Sequence, residues 1–492
     1  MLAPDYLDHA PDRLVLLWQQ VEDDILRDVA RRIGKMDALT PTANWQLWRY
    51  QQTEAVRKDV VKLLARYTGK SEAEIRRLMK EAATAALEAE DEIYYHYGKE
   101  PTPFEESAPL QNLLNAGYRQ TAGSFSNLTA TTANTVSGAF EQALDRAWLQ
   151  VSSGAFDYKT AVKSAVDGLA DSMPYVTYPS GHRDTLEVAC RRAVLTGVNQ
   201  TGAKLQEARM DEMRASFVEV TAHGGARPSH AVWQGRRYHR GGAVDYLGQH
   251  YEDFESATDY GTGAGLCGWN CRHTFFVVFP ELGSPPAWTQ ESLEALNARD
   301  IEYDGRLYTR YEISQMQRAR ERAVRKWKRR YLAEDAAGAD TTASAVKLRQ
   351  ARQSLADFTR ATGGRVDSAR TSVHGFGRSA SSKAAWAVRH NTLTNTAGQT
   401  IIKVSKSNIT GPRNGITQKT NAKGGIDRNY YGPDGRQTKQ ISNNGHGHKV
   451  EEALGKHGEH AHDYIFDAEG HLCGRPSREL TDAERKENSD IL

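Results

Sequence analysis

The chain has 492 residues, with 64 lysines and arginines against 62 aspartates and glutamates, a formal net charge of +2. At about 100 to 200 residues per domain, that length excludes one small domain and predicts several modules. The charge balance excludes a polycation, so any affinity for nucleic acid has to come from a local patch.

Four cysteines, Cys190, Cys267, Cys271 and Cys473, are too few for a disulfide framework. They point to a reducing compartment with one metal or redox site. The opening residues carry neither a basic stretch nor an apolar run, so no secretory leader is expected and synthesis is read as cytoplasmic. The apolar run Phe275 to Phe279 falls far below the roughly 20 residues of a membrane helix, and no membrane segment is expected.

Between about residues 12 and 97 the apolar positions step by three and four: Leu14, Leu17, Val21, Ile25, Val29 and Ile33, then Ile75, Leu78, Met79, Ala82 and Ala86. That spacing puts them on single faces of amphipathic helices. A break is expected at residues 39–44, and Ser71 with Glu74 reads as a capping box that opens a new helix. Pro101 and Pro103 stop this set. A second helical stretch reaches about Phe217. Its Ala/Thr/Ser-rich part, residues 121–139, has side chains small enough for helices to approach closely, and Cys190 falls among Leu186, Val188 and Val194 as a core residue.

Alternation over residues 216–222 and the apolar run closed by Pro280 predict two strands. They flank a loop-rich stretch of Gly, His, Tyr and Trp, giving a central module over 217–300. Residues 301–365 read as a basic helical hairpin across Gly338, with Ala319, Ala323, Val324 and Trp327 as a narrow buried face. Residues 366–424, rich in Ser, Thr, Asn, Gly and basic residues, read as a linker with one strand candidate from Thr400. Residues 425–492 carry turn signals at Asp434-Gly435 and Asp467 to Gly470 and a capping box of Thr481 with Glu484. The fold class is α+β multidomain: a mostly helical N-terminal body over 1–216, the loop-rich central α+β module, and a small C-terminal α+β domain.

The strongest local constellation is His223-Gly-Gly-Ala-Arg227-Pro-Ser-His230-Ala-Val-Trp233-Gln-Gly followed by Cys267-Gly-Trp-Asn-Cys271-Arg272-His273. Two cysteines four apart are soft donors at a spacing zinc sites use, and His230 or His273 completes the set. The candidate ligands are therefore His230, Cys267, Cys271 and His273, with packed thiols as the alternative.

The same residues carry a resemblance. A helical first half, then Arg-Pro-x-His-x-x-Trp-x-Gly from Arg227, a Gly/Tyr-rich insert and Gly-Trp-Asn-Cys-Arg-His from Gly268 resembles the phage minor capsid protein 2 family. That family is akin to head-morphogenesis proteins typified by the F protein of phage Mu. Val373-His-Gly-Phe-Gly-Arg-Ser379 is similar to the family's ending, so the likeness covers roughly residues 5 to 385. It implies a low-copy virion component made in the bacterial cytoplasm, whose helical region (1–216) docks on the portal or capsid. Its partners would be the portal and other capsid proteins, and it would act in head assembly, DNA packaging or DNA delivery. Relatives often carry Cys where this chain has His230, which keeps a donor at that position.

Residues 318–330 hold eight basic side chains in thirteen. Arg318, Arg322, Arg325, Lys326, Arg329 and Arg330 are the candidates for sequence-independent contact with packaged DNA, the alternative being a helix paired to acidic neighbours. In the tail, six of the 16 histidines fall between His446 and His471. His457, His460 and His462 are the candidate acid–base or metal-binding residues of a nuclease, with Arg475 or Arg478 on phosphate. The resemblance adds that such head proteins often end in toxin-like domains. The other reading of the tail is a turn-rich interaction domain.

Overall fold

The computed structural model describes residues 1–35, 42–152, 157–172, 175–178, 182–422 and 424–492. It divides into two units, Met1–Ala339 with Gln353–Gly375, and Asp340–Arg352 with Phe376–Leu492.

The first unit begins with α1 (Pro4–His9), α2 (Asp12–Gly34), α3 (Thr42–His96), α4 (Ala108–Ser152) and α5 (Tyr158–Ser172). A short antiparallel pair, β1 (Tyr175–Thr177) and β2 (Arg183–Thr185), leads into α6 (Leu186–Met213). The stepped apolar residues are the core: Leu14, Val21, Ile25, Val29 and Ile33 of α2 pack inward, as do Ile75, Leu78, Met79, Ala82 and Ala86 of α3. Of the expected break, residues 39–41 lie outside the described residues.

No new helix starts at Ser71, because α3 continues through it for 55 residues. The Ser71 hydroxyl is buried, donates to Tyr67 O (2.9 Å) and accepts from Trp18 Nε1 (2.9 Å). It satisfies an indole of α2 instead of capping a helix, and Glu74 pairs with Arg77. Helices α4 and α6 meet at two reciprocal points. A Cβ on Gly117 would lie 2.1 Å from the Thr201 hydroxyl oxygen, and one on Gly197 would lie 2.1 Å from that of Thr121. Only glycine permits that separation. Cys190, on α6, is fully buried, and burial pushes its thiol pKa up.

The central module follows as β3 (Phe217–Val220), α7 (Pro228–Ala231), β4 (Arg237–His239), the hairpin β5 (Val244–Tyr246) and β6 (Gln249–Tyr251), α8 (Phe254–Thr258) and β7 (Phe275–Val277). The two expected strands pair antiparallel, Val218 opposite Val277, with β4 on the other side of β3. Helix α6 holds this sheet in place. Gln206 Nε2 donates both to the Glu90 carboxylate of α3 and to Phe275 O (2.8 Å). Asn199 Nδ2 donates to Cys271 O (2.9 Å) and His273 O (3.0 Å).

Next come α9 (Gln290–Asn297), the hairpin β8 (Arg299–Tyr303) and β9 (Arg306–Thr309), and α10 (Arg310–Ala336), which Thr309 and Glu312 cap reciprocally. The turn after α10 uses Gly338 at φ +68°. In α11 (Thr342–Ala361) the last residues return to α10, Phe358 lying 4.1 Å from the Arg320 guanidinium; α12 (Ser368–Thr371) ends the unit. Of the buried face expected on α10, Val324 is buried, but Ala319 is exposed.

The expected linker over 366–424 is folded. It carries α12, α13 (Arg378–Asn391), β10 (Thr392–Thr394), β11 (Thr400–Lys403) and β12 (Ile416–Thr420). The last three belong to one sheet with β13 (Ile426–Tyr431), β14 (Gln437–Ser442), β15 (His460–Asp463) and β18 (Ser477–Arg478), in that order. Pairing is antiparallel except between β11 and β12. Polar composition misled because the unit buries polar groups. Arg428, fully buried, donates to Gln418 Oε1 (2.9 Å), Asn488 Oδ1 (3.0 Å) and Asp490 Oδ1 (2.8 Å). A helix α14 (Lys449–Glu452), the hairpin β16 (Ile465–Phe466) and β17 (Leu472–Gly474), and α15 (Asp482–Glu487), opened by the expected Thr481–Glu484 box, complete it.

Two outcomes follow. A chain ending at Gly375 should remain soluble with the body's thermal transition intact, whereas one ending at residue 424 severs the sheet between β12 and β13 and should aggregate; equal solubility of both would place the boundary elsewhere. Burial pushes the Glu90 carboxyl from 4.5 up to about 7. The folded chain then keeps a proton that the unfolded chain has lost, so Glu90 makes stability fall as pH rises between those two values. Thermal melts of Glu90→Gln should be flatter than wild type over that window; an unchanged slope would exclude Glu90 as its source.

Candidate metal centre

His230 lies at the end of α7, whose first turn is set by Pro228. Cys271 and His273 come from the segment entering β7, with both carbonyls held by Asn199. These elements bring three side chains together: His230 Nδ1 is 3.4 Å from His273 Nδ1, and Cys271 Sγ is 3.7 Å and 3.6 Å from the same two atoms. All three residues are buried.

The far nitrogen of each ring is committed. His230 Nε2 is 2.8 Å from Ala264 O, an acceptor only, so it carries the proton. His273 Nε2 is 3.0 Å from Gln234 Oε1, which also accepts from the His223 N–H (3.1 Å), while Gln234 Nε2 donates to Asn297 Oδ1 (3.2 Å). Both rings in their neutral form therefore present a bare Nδ1 lone pair to the same point. Burial favours that form, pulling His230 down to about 4 and His273 well below the ordinary range. It likewise raises the Cys271 thiol.

Cys267, expected as a fourth ligand, stands outside this group of three donors. Its backbone is left-handed (φ 57°) and its Sγ–H is directed at His273 O (3.6 Å), within the apolar cluster of Phe254, Leu266 and Phe275. Gln234, which no metal-ligand spacing marks, was the partner missed by sequence reasoning.

The three donors border a cavity of about 460 Å³. Its wall is rich in guanidinium groups. Asp8 alone faces Arg272 (3.4 Å), Arg370 (3.6 Å) and Arg191 (3.8 Å). Arg318 joins them, and burial followed by Arg370 draws its pKa down to about 10.

Four other cations of α10 pair with carboxylates, as the alternative reading of the basic run had it. Arg325 pairs with Glu187, Lys326 with Asp171 (3.1 Å), Arg329 with Glu22 (2.7 Å) and Asp23 (2.8 Å), and Arg330 with Asp167 (3.0 Å). Four of the six candidates for DNA contact are thus in ion pairs within the body, and Arg322 is exposed.

In the second unit, His460 and His462 alternate on β15 and so share a face. Their Nε2 atoms are 3.0 Å apart, and Glu451 of α14 sets one oxygen 3.3 Å from His462 and the other 3.7 Å from His460. Both rings are buried, and burial with Arg475 nearby lowers His462 to about 4. His457 is exposed, and Glu451 takes the place expected for it. Arg478 is held by Asp463 (2.6 Å) and Glu484 (2.8 Å), and Arg475 donates to Gln440 (3.0 Å).

A long-helix body carrying a small loop-rich sheet module, with a separate sheet-rich unit after it in the chain, makes this a multidomain α+β protein. Residues 2–360 match the phage minor capsid protein 2 family, and the chain belongs to that family, as a structural protein of the phage head among other phage structural proteins. No curated protein and no solved structure matches it. Among the described residues no helix is long and apolar enough to cross a membrane.

Proposed function

We propose that the protein is a minor head component that docks on the portal and acts in virion assembly. The observation carrying this reading is the family match, which spans the whole helical body. The pairing of the α10 cations with carboxylates favours assembly over direct contact with packaged DNA. The docking face we assign is the start of α3 beside the end of α4. There Trp45 stacks on Trp148 (6.2 Å), and Leu47, Tyr50 and Leu149 are 59%, 66% and 59% exposed. Leu47 and Tyr50 are three residues apart on one helical face, the spacing by which a helix presents apolar anchors.

Leu47→Glu with Tyr50→Glu should leave the circular dichroism spectrum unchanged and weaken co-purification with the phage's portal protein by about tenfold or more, about 1.4 kcal/mol. Undiminished co-purification would remove this face from the interface.

A second reading concerns the second unit alone, as a nuclease-type effector. The convergence of Glu451, His460 and His462 favours it, since a carboxylate beside paired imidazoles is a proton-transfer arrangement. With both rings buried, Glu451 is the member placed to meet substrate. RNA and DNA degradation by the full chain, lost in His460→Ala and Glu451→Gln, is the expected result; inactivity toward both would leave the unit as a binding module.

A further inference from the structure

We propose that the body binds one zinc ion through His230 Nδ1, His273 Nδ1 and Cys271 Sγ, with the fourth position open to the arginine-lined cavity. The separations carry the argument. In a tetrahedral site with Zn–N about 2.0–2.1 Å and Zn–S about 2.3 Å, the donors stand about 3.3–3.4 Å (N to N) and about 3.5–3.6 Å (N to S) apart. The three observed distances are 3.4, 3.6 and 3.7 Å. Two neutral Nδ1 atoms in near contact, neither carrying a proton, gain nothing from each other, and a shared cation resolves the juxtaposition.

The supporting groups are also those that a metal site needs. Each imidazole passes its other N–H to a fixed acceptor, Ala264 O or Gln234 Oε1, the arrangement that fixes the ring and raises its basicity as a ligand. Gln234 is itself fixed from both ends, and Asn199 anchors the backbone of Cys271 and His273 to α6. Two imidazoles and a thiolate form a borderline-soft set that suits zinc. On binding, the Cys271 S–H bond breaks, its proton passes to solvent and the sulfur electron pair goes to the metal. The ion would tie the α7 loop to the segment that starts β7.

The test is metal analysis of the purified full chain after exposure to zinc and removal of free ion. About one zinc per chain is expected in wild type and in Cys267→Ser, with loss in Cys271→Ser and His230→Ala. Gln234→Ala, which keeps all three ligands, should weaken zinc binding by about 10–100-fold. To separate ligand loss from misfolding, chelator-treated wild type is reloaded with cobalt. A thiolate-to-cobalt absorption band in wild type and in Cys267→Ser supports the site. Absence of bound zinc and of that band in folded wild type would overturn the proposal, and loss of zinc in Cys267→Ser would overturn the three-donor set.

Discussion

Arg329 lies inside the body between Glu22 and Asp23, and its neighbours on α10 repeat the pattern: Arg325 reaches Glu187 of α6, and Arg330 reaches Asp167 of α5. Lys163 of α5 answers with Glu334 near the end of α10 (2.6 Å). Each charge has given up water, so each depends on its partner. Removing one member of a buried pair commonly costs about 3–5 kcal/mol, because the other is left uncompensated. Burial pushes the Glu22 carboxyl up to about 7, while its neighbour Arg329 is held protonated by the carboxylates around it. A helix from the middle of the chain is thereby locked to α2, α5 and α6. The central module, which sits between those helices in sequence, inherits its position from them.

The candidate metal centre depends on that framework. Helix α6 contributes Glu187 to the ion pairs through its first turn and, further along, Asn199 and Gln206 to the module. One rigid element therefore connects the charge network to the carbonyls that present Cys271 and His273. The arginines around Asp8 form the cavity's wall by the same logic, since α1, α6, α10 and α12 each contribute to its lining. An excess of guanidinium over carboxylate there makes the open side of the centre a favourable place for an anionic group or water.

The second unit is built on different terms. Its sheet has a small apolar core of Ile441, Ala461 and Leu480, and buried Arg428 is satisfied by amide and carboxylate oxygens. A buried polar network of this kind is stable only when its members are paired, and its residues have the composition of a linker. The paired histidines of β15 belong to that polar interior.

Periodicity made α2 and much of α3 legible, since a stepped apolar face has one way to be buried. Alternation did the same for β3 and β7, and the Thr481–Glu484 box and the Asp-Gly turns were readable because their chemistry is local. The motif residues Arg227 to Gly235 and Gly268 to His273 pointed to the family and contain the three proposed metal donors. What local sequence does not carry is direction. Ser71 has the spacing of a helix cap and serves as an acceptor for Trp18; Cys267 has the spacing of a zinc ligand and turns away on a left-handed backbone. The basic run of α10 has the composition of a DNA-binding helix, yet its partners lie on helices more than a hundred residues earlier. The sequence by itself determined which residue types and local periods were available, because these depend on neighbours within a few positions. Only the tertiary structure decided which charges were paired and which donors converged, because burial and pairing depend on groups brought together from distant parts of the chain.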